Sequence, residues 1–258
     1  MNEITILGAY GTKGENAGTS AFYIDEKNVL DAGNLLIPLK EKSALIENIW
    51  LSHSHLDHIL DIAYILDSYF AERQKTLKLL GLPQTLKAVK EDFLNDTIWP
   101  DFSKINLMNS SLKCVEYEEI KYGVVYSLGK DSTIEAYETD HTVPSSGYII
   151  TKKNATVIVT SDTYSLETTI ALIDARDDIK TLVVECSFPS RMQQLAYDSK
   201  HLTPKLLFEM LQNLKRKDIS IYINHIKPLF LQEMTAEIEA FKGAFEVKIL
   251  KDGEKILF

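Results

Sequence analysis

Three imidazoles and one carboxylate fall within six consecutive positions, His53-Ser54-His55-Leu56-Asp57-His58. Neutral imidazole and carboxylate are borderline-to-hard ligands that suit zinc and its first-row neighbours. The apolar run Ile49-Trp50-Leu51 stands directly before them. If the chain leaves a strand at Ser52 and turns, His53 and His55 reach one ion, while Asp57 and His58 point towards a second. The chain has six histidines and half of them sit here, so chance enrichment of a polar loop is a poor account of the segment.

The remaining chemistry lies in the second half. His141 follows a strand-like run, in Asp140-His141-Thr142-Val143-Pro144-Ser145-Ser146-Gly147-Tyr148. Val157-Ile158-Val159-Thr160-Ser161-Asp162 is an apolar strand ending in an acid, and Leu182-Val183-Val184-Glu185 repeats that form. Ile219-Ser220-Ile221-Tyr222-Ile223-Asn224-His225 ends in the last histidine. Side chains at strand ends on one edge of a sheet converge, which is where α/β proteins bind ligands. His201-Leu202-Thr203-Pro204 opens a helix, with Thr203 and Pro204 at cap positions.

The elements that must position these groups read as short strands and tight turns. Strands are expected over 4–8, 20–24 and 29–30, separated by a turn through Gly11, Gly14 and Gly18. That turn lacks the Gly-Lys-Ser/Thr ending of a phosphate loop and is taken as turn chemistry. A short helix is expected over 36–46. Apolar residues at 59, 62, 63, 66 and 70 follow helical spacing. A strand over 77–80, a turn at Gly81-Leu82-Pro83 and a helix to Phe93 follow. A second set of strands begins near Val115. Between them, Trp99 and Phe102 flank Pro100 in a loop that either covers a pocket and stacks on a base or packs beneath itself.

At 258 residues one domain is the default, spanning 1–258. A hydrophobic fraction of 45% with 25% charged residues is ordinary for a globular protein with a sizeable core. The net charge of −9, without basic runs, disfavours a nucleic-acid partner. The N-terminal ten residues show neither a signal peptide nor a membrane span. The two cysteines, Cys114 and Cys186, indicate no disulfide framework, and Cys186 reads as a buried thiol. The cytoplasm is the expected location.

The segment His53 to His58 resembles the HxHxDH signature of the metallo-β-lactamase fold, and His141, Asp162 and His225 match the remaining ligand positions. Within that superfamily the chain is most similar to the class II cyclic-nucleotide phosphodiesterases. The carrying segments are His53 to His58, Gly81-Leu82-Pro83, Phe93 to Phe102, His141 to Tyr148, and Glu185 to Pro189 with His201 to Pro204. Asn95-Asp96-Thr97-Ile98-Trp99-Pro100 and His201-Leu202-Thr203-Pro204 are the pieces that favour this family within the superfamily. Two departures are a compact chain and Ser161, where a glycine is commoner before the bridging aspartate.

The resemblance implies an α/β, four-layer αββα sandwich with two divalent ions, zinc first and manganese or iron as alternatives. His53, His55 and His141 would hold one ion, Asp57, His58 and His225 the other, and Asp162 would bridge them. A hydroxide shared by the ions would attack a 3′,5′-cyclic nucleotide, cyclic AMP first. His201 would protonate the leaving alkoxide with Glu185 orienting it, and Asp57 would share in catalysis. Trp99, Phe102, Ser146 and Thr203 are the expected substrate contacts. A homodimer is compatible with this picture. The alternatives are an RNA 3′-end processing endonuclease resembling ribonuclease Z, a non-catalytic metal sensor, and an oxygen-reducing di-iron protein. The last usually carries Glu where His55 stands.

Overall fold

Fourteen strands pair into two seven-stranded sheets in the computed structural model, which describes residues 2–258. In chain order the first half comprises β1 (Glu3–Gly8), β2 (Ala21–Tyr23), β3 (Asn28–Leu30), α1 (Leu36–Leu39), β4 (Asn48–Trp50), α2 (Leu56–Ser68), β5 (Leu77–Gly81), α3 (Pro83–Ala88) and β6 (Val115–Glu119). The second comprises β7 (Val125–Gly129), β8 (Ser132–Thr139), β9 (Ser145–Lys152), β10 (Ala155–Val159), α4 (Glu167–Ala175), β11 (Ile179–Glu185), α5 (Gln193–Asp198), α6 (Pro204–Leu211), β12 (Ser220–Asn224), α7 (Leu231–Phe241), β13 (Val247–Ile249) and β14 (Lys255–Leu257).

The sheets follow one plan. The first runs β14-β1-β2-β3-β4-β5-β6, antiparallel as far as β3 and parallel from there. The second runs β13-β12-β11-β10-β9-β8-β7, with β7 to β10 antiparallel and β10 to β13 parallel. Alternation along each strand divides its apolar residues between two cores. Trp50 on β4 and Val183 on β11 join the core between the sheets, with Ile4, Phe22, Tyr148 and Val157. Their neighbours Ile49, Leu182 and Val184 face outward. There Ile49 packs with Ile59, Ile62 and Leu66 of α2, and the other two with Leu207, Phe208 and Ile238 of α6 and α7. Helices outside two facing sheets make the expected αββα sandwich.

Three expectations change. The helix expected over 36–46 is one α turn followed by a 3₁₀ segment, Lys40–Leu45, because Lys40 takes a left-handed φ of 51°. The buried guanidinium of Arg73 holds that segment, donating to the carbonyls of Ile46 and Ser43 at 2.7 and 2.9 Å. Strand β6 pairs in parallel with β5 and completes the first sheet, so the second set begins at β7 rather than near Val115. Strand texture carries no record of which sheet a strand will join.

The aromatic loop is the third. Phe102 is 4% exposed and lies in the outer core of the first sheet, tilted on Phe70 with centroids 6.3 Å apart. Trp99 is half-buried against the same core, edge-on to Tyr64 at 5.7 Å. Asn95 Oδ1 accepts the amides of Thr97 and Ile98, and Asp96 Oδ1 accepts that of Asp101. These side chain-to-backbone bonds tie the loop into a turn and fold its rings under it. Among the described residues no helix is long and apolar enough to cross a membrane.

Packing rather than base stacking sets a clear outcome. Phe102→Ala should lower the unfolding free energy by about 3–5 kcal/mol, as truncation of a core phenylalanine does, and leave substrate affinity unchanged. Denaturant melts alongside KM measure both; a raised KM at unchanged stability would return Phe102 to the pocket.

Candidate metal centre

The C-terminal ends of the parallel strands deliver the site. His53 follows β4, Asp162 follows β10, Glu185 closes β11 and His225 follows β12, while His141 stands in the turn from β8 to β9. Helix α2 begins at Leu56, so Asp57 and His58 occupy its first turn. A carboxylate there is favoured by the helix dipole.

All seven expected metal ligands come together. His53, His55, His141 and Asp162 offer one group of ligand atoms, each within 4.8 Å of the others; Asp57, His58, Asp162 and His225 offer a second. Asp162 belongs to both. Its Oδ2 lies 3.6 Å from His53 Nε2, 3.8 Å from His141 Nε2 and 3.3 Å from His58 Nε2, and its Oδ1 lies 3.3 Å from His225 Nε2. His55 Nδ1 stands 3.2 Å from His141 Nε2, and His58 Nε2 stands 3.4 Å from His225 Nε2. Ligand atoms about 2.0–2.1 Å from a tetrahedral ion lie about 3.3 Å from each other, so this spacing suits a zinc-like coordination shell. Both Asp162 oxygens and His53 Nε2 are buried without a hydrogen-bond partner. Buried polar atoms are otherwise almost always paired. The residues present therefore fit divalent cations.

Electrostatics agree. Burial opposes charge on Asp162 and Asp57, yet the surrounding imidazoles win and hold both carboxyls below the usual range: His225 and His58 at Asp162, His58 and then His225 at Asp57. Burial drives His53, His55 and His141 down, towards the neutral form that binds metals. His58 is the exception; burial lowers it, but Asp162, Asp31 and Asp57 together raise it.

Supporting groups hold the rings. Asp31 Oδ2 lies 2.8 Å from His58 Nδ1, and the same carboxylate takes both the amide and the hydroxyl of Ser52. His141 Nδ1 donates to the Lys200 carbonyl at 3.0 Å, leaving Nε2 for the ligand group. Such outer bonds fix which imidazole nitrogen is free to ligate. Gly11 crosses so close to His225 that a Cβ there would strike the His225 carbonyl and ring. The glycine turn read as plain turn chemistry is thus a wall of the site. Asp31 was legible in principle, being another carboxylate just past a strand.

His201 stands beside the ligands without joining the two four-residue groups. Its amide bonds to the Ala196 carbonyl and that of Lys200 to Tyr197, with Lys200 at φ 55°, a Schellman ending to α5. This turn aims the ring at Glu185, whose Oε1 lies 2.8 Å from His201 Nδ1. Burial lowers His201, but the Glu185 charge and hydrogen bond outweigh it and raise its pKa above the usual histidine value. A cavity of about 430 Å³ is lined by His201, Asp57, Asp162, His55, Lys13 and Lys227.

The four expected substrate contacts do not reach it. Trp99 and Phe102 pack as described. Ser146 lies within β9, fully buried. Thr203 is fully buried as the N-cap of α6, accepting from the Leu206 amide and donating to Gln193 Oε1. That hydroxyl is spent on the helix end.

The family description "cAMP phosphodiesterases class-II" matches residues 34–238. The chain belongs to that family. Among solved structures, unliganded yeast PDE1 superposes on this class-II member with a TM-score of 0.80 at 20% identity, covering 99% of both chains. The metallo-β-lactamase fold protein YhfI from Bacillus subtilis gives 0.75 at 20% identity, again over 99% of both. These likenesses establish the metallo-β-lactamase fold. A ribonuclease Z of Methanocaldococcus jannaschii is 30% identical over 106 residues, which span 40% of this chain and 30% of that relative. A class-II phosphodiesterase of this fold with this ligand cluster is a metal-dependent hydrolase.

Because Asp162 belongs to both ligand groups, Asp162→Ala should weaken all metal binding together. Elemental analysis of zinc-loaded protein should give two ions for the parent chain and well under one for the variant; a variant that keeps one ion would show that the carboxylate serves a single site.

Proposed function

We propose that the chain hydrolyses a 3′,5′-cyclic nucleotide, cyclic AMP first, to the 5′-monophosphate, in a reducing cytoplasm. The observation that carries this reading is the Glu185–His201 pair, buried at the edge of two ligand groups, with His201 lining the cavity that those groups share. The class-II family match supports the substrate class. His53, His55 and His141 would hold one ion and Asp57, His58 and His225 another, with Asp162 shared; zinc comes first and manganese or iron are alternatives. Bound divalent ions would supply water of pKa about 7 and positive charge to offset that of the phosphate oxygens.

The chain's own residues do the rest. Lys13 and Lys227 set positive charge on the cavity wall and favour a phosphate-bearing substrate. Asp57, kept ionised by His58 and His225, would be one of the carboxylates that hold the metal charge in place. His201 donates its Nδ1 proton to Glu185, which leaves the other ring nitrogen to carry a proton to the departing 3′-oxygen. An alkoxide leaves poorly without one, so His201 is the general acid.

His201→Ala should slow cyclic AMP hydrolysis about 10²–10⁴-fold. A bis-nitrophenyl phosphodiester, whose phenolate needs no proton, should lose far less, with metal content unchanged. Equal losses on both substrates would remove the acid role. The acid form is the active one, so kcat falls as pH rises through the His201 pKa. Glu185→Gln deletes the charge that raises this pKa, and the alkaline limb should move to lower pH; a limb that stays in place would detach Glu185 from His201.

The ribonuclease Z match favours a second reading, cleavage of an RNA phosphodiester on the same residues. It predicts RNA binding that weakens steeply with salt. Flat, weak RNA binding beside rapid cyclic AMP turnover decides for the nucleotide.

A further inference from the structure

We infer that Ser187 is a positioning residue that joins the metal ligand His225 to the proton donor His201 through the single carboxylate of Glu185. The Ser187 side chain is fully buried at the exit of β11. Its Oγ lies 2.8 Å from His225 Nδ1, 2.9 Å from Glu185 Oε2 and 3.2 Å from His201 Nδ1. Glu185 Oε1 meets His201 Nδ1 at 2.8 Å and takes the Thr163 amide at 3.1 Å.

The direction of these bonds follows from what each group can give. His225 Nε2 faces Asp57 and Asp162, each at 3.3 Å, and must offer a lone pair to ligate. Its proton therefore sits on Nδ1 and is donated to Ser187 Oγ. An ionised carboxylate only accepts, so the hydroxyl proton of Ser187 goes to Glu185 Oε2. His201 Nδ1–H occupies the other oxygen. One carboxylate thus orients the acid directly and the metal ligand through one hydroxyl. Metal-bound histidines commonly hand their second N–H to a carboxylate, and removing that partner costs about 10–100-fold in metal affinity or activity. The spacing Glu185-Cys186-Ser187 suits the task. Residues two apart share a side of an extended chain, while Cys186 between them faces the outer core.

The inference rests on His225 as a ligand and His201 as the acid, and a readout independent of turnover tests it. Zinc affinity is measured by chelator competition on metal-free protein. Ser187→Ala and Glu185→Gln should each weaken the ion lost in His225→Ala, by about 10–100-fold for Ser187→Ala, while His201→Ala leaves affinity unchanged. Ser187→Thr, which keeps the hydroxyl, should restore binding. Should Ser187→Ala fail to fold, Ser187→Cys gives the same comparison with a poor acceptor in place of oxygen. Ser187→Ala with parental zinc affinity, or His201→Ala losing as much, overturns the link. A parent chain inert towards cyclic nucleotides would refute the functional reading alone, since the affinity comparison still decides on Ser187.

Discussion

One buried carboxylate sets the terms for this molecule. Asp162 is 1% exposed and neither of its oxygens makes a hydrogen bond. An ionised carboxylate so placed costs several kcal/mol unless opposite charge surrounds it. Two ligand groups converge on it from both sheets, so the sandwich has to present β4, β10 and β12 to one edge in register. The short parallel strands, the start of α2 at Leu56 and the close crossing of Gly11 over His225 all serve that convergence.

The backbone is bent to reach it. Asp31, Ser161 and His225 each take a left-handed φ, 58°, 54° and 65°, immediately past a strand or one residue later. An L-residue there costs roughly 1–2 kcal/mol, and it persists only where its surroundings over-determine it. The bend turns each chain sharply inward at the sheet edge. It also accounts for the glycine commonly found where Ser161 stands, since glycine meets that conformation freely. The serine keeps the geometry at an energetic cost that the ligand cluster around Asp162 must offset.

Much of this was legible in the residues. His53 to His58 announced metal chemistry through density of ligand types, and each later ligand stood where an apolar run ended. The αββα layering followed from the resemblance, and alternation on β4 and β11 is consistent with it. What stayed hidden depended on contacts between distant segments. Asp31 could be suspected from its place just past a strand, but its partner could not, because nothing in its neighbours reveals that His58 lies 2.8 Å away. Ser187 was one polar residue in a quoted motif until Glu185, His201 and His225 were seen around it. Trp99 and Phe102 failed as substrate contacts because ring type cannot distinguish a pocket from a core; the turn bonds from Asn95 and Asp96 decide that. Ser146 and Thr203 lay in the right segments, but a strand interior and a helix cap had already claimed them.

The pairing of β14 with β1 has a bearing on when the site can exist at all. Just before β14, Asp252 binds the amides of Ala9 and Gly18, partners 243 and 234 residues away in sequence. Those bonds clamp both ends of the glycine turn that walls the metal ligands, and the Ala9 carbonyl in turn receives the His225 amide. Contacts so remote in sequence form late, because closing long loops must precede them. During synthesis the His53 to His58 segment therefore leaves the ribosome long before its enclosure is finished. For that interval His53, His55, Asp57 and His58 lack the glycine wall that closes around the finished ligand cluster, so the site is completed only when the last strand docks.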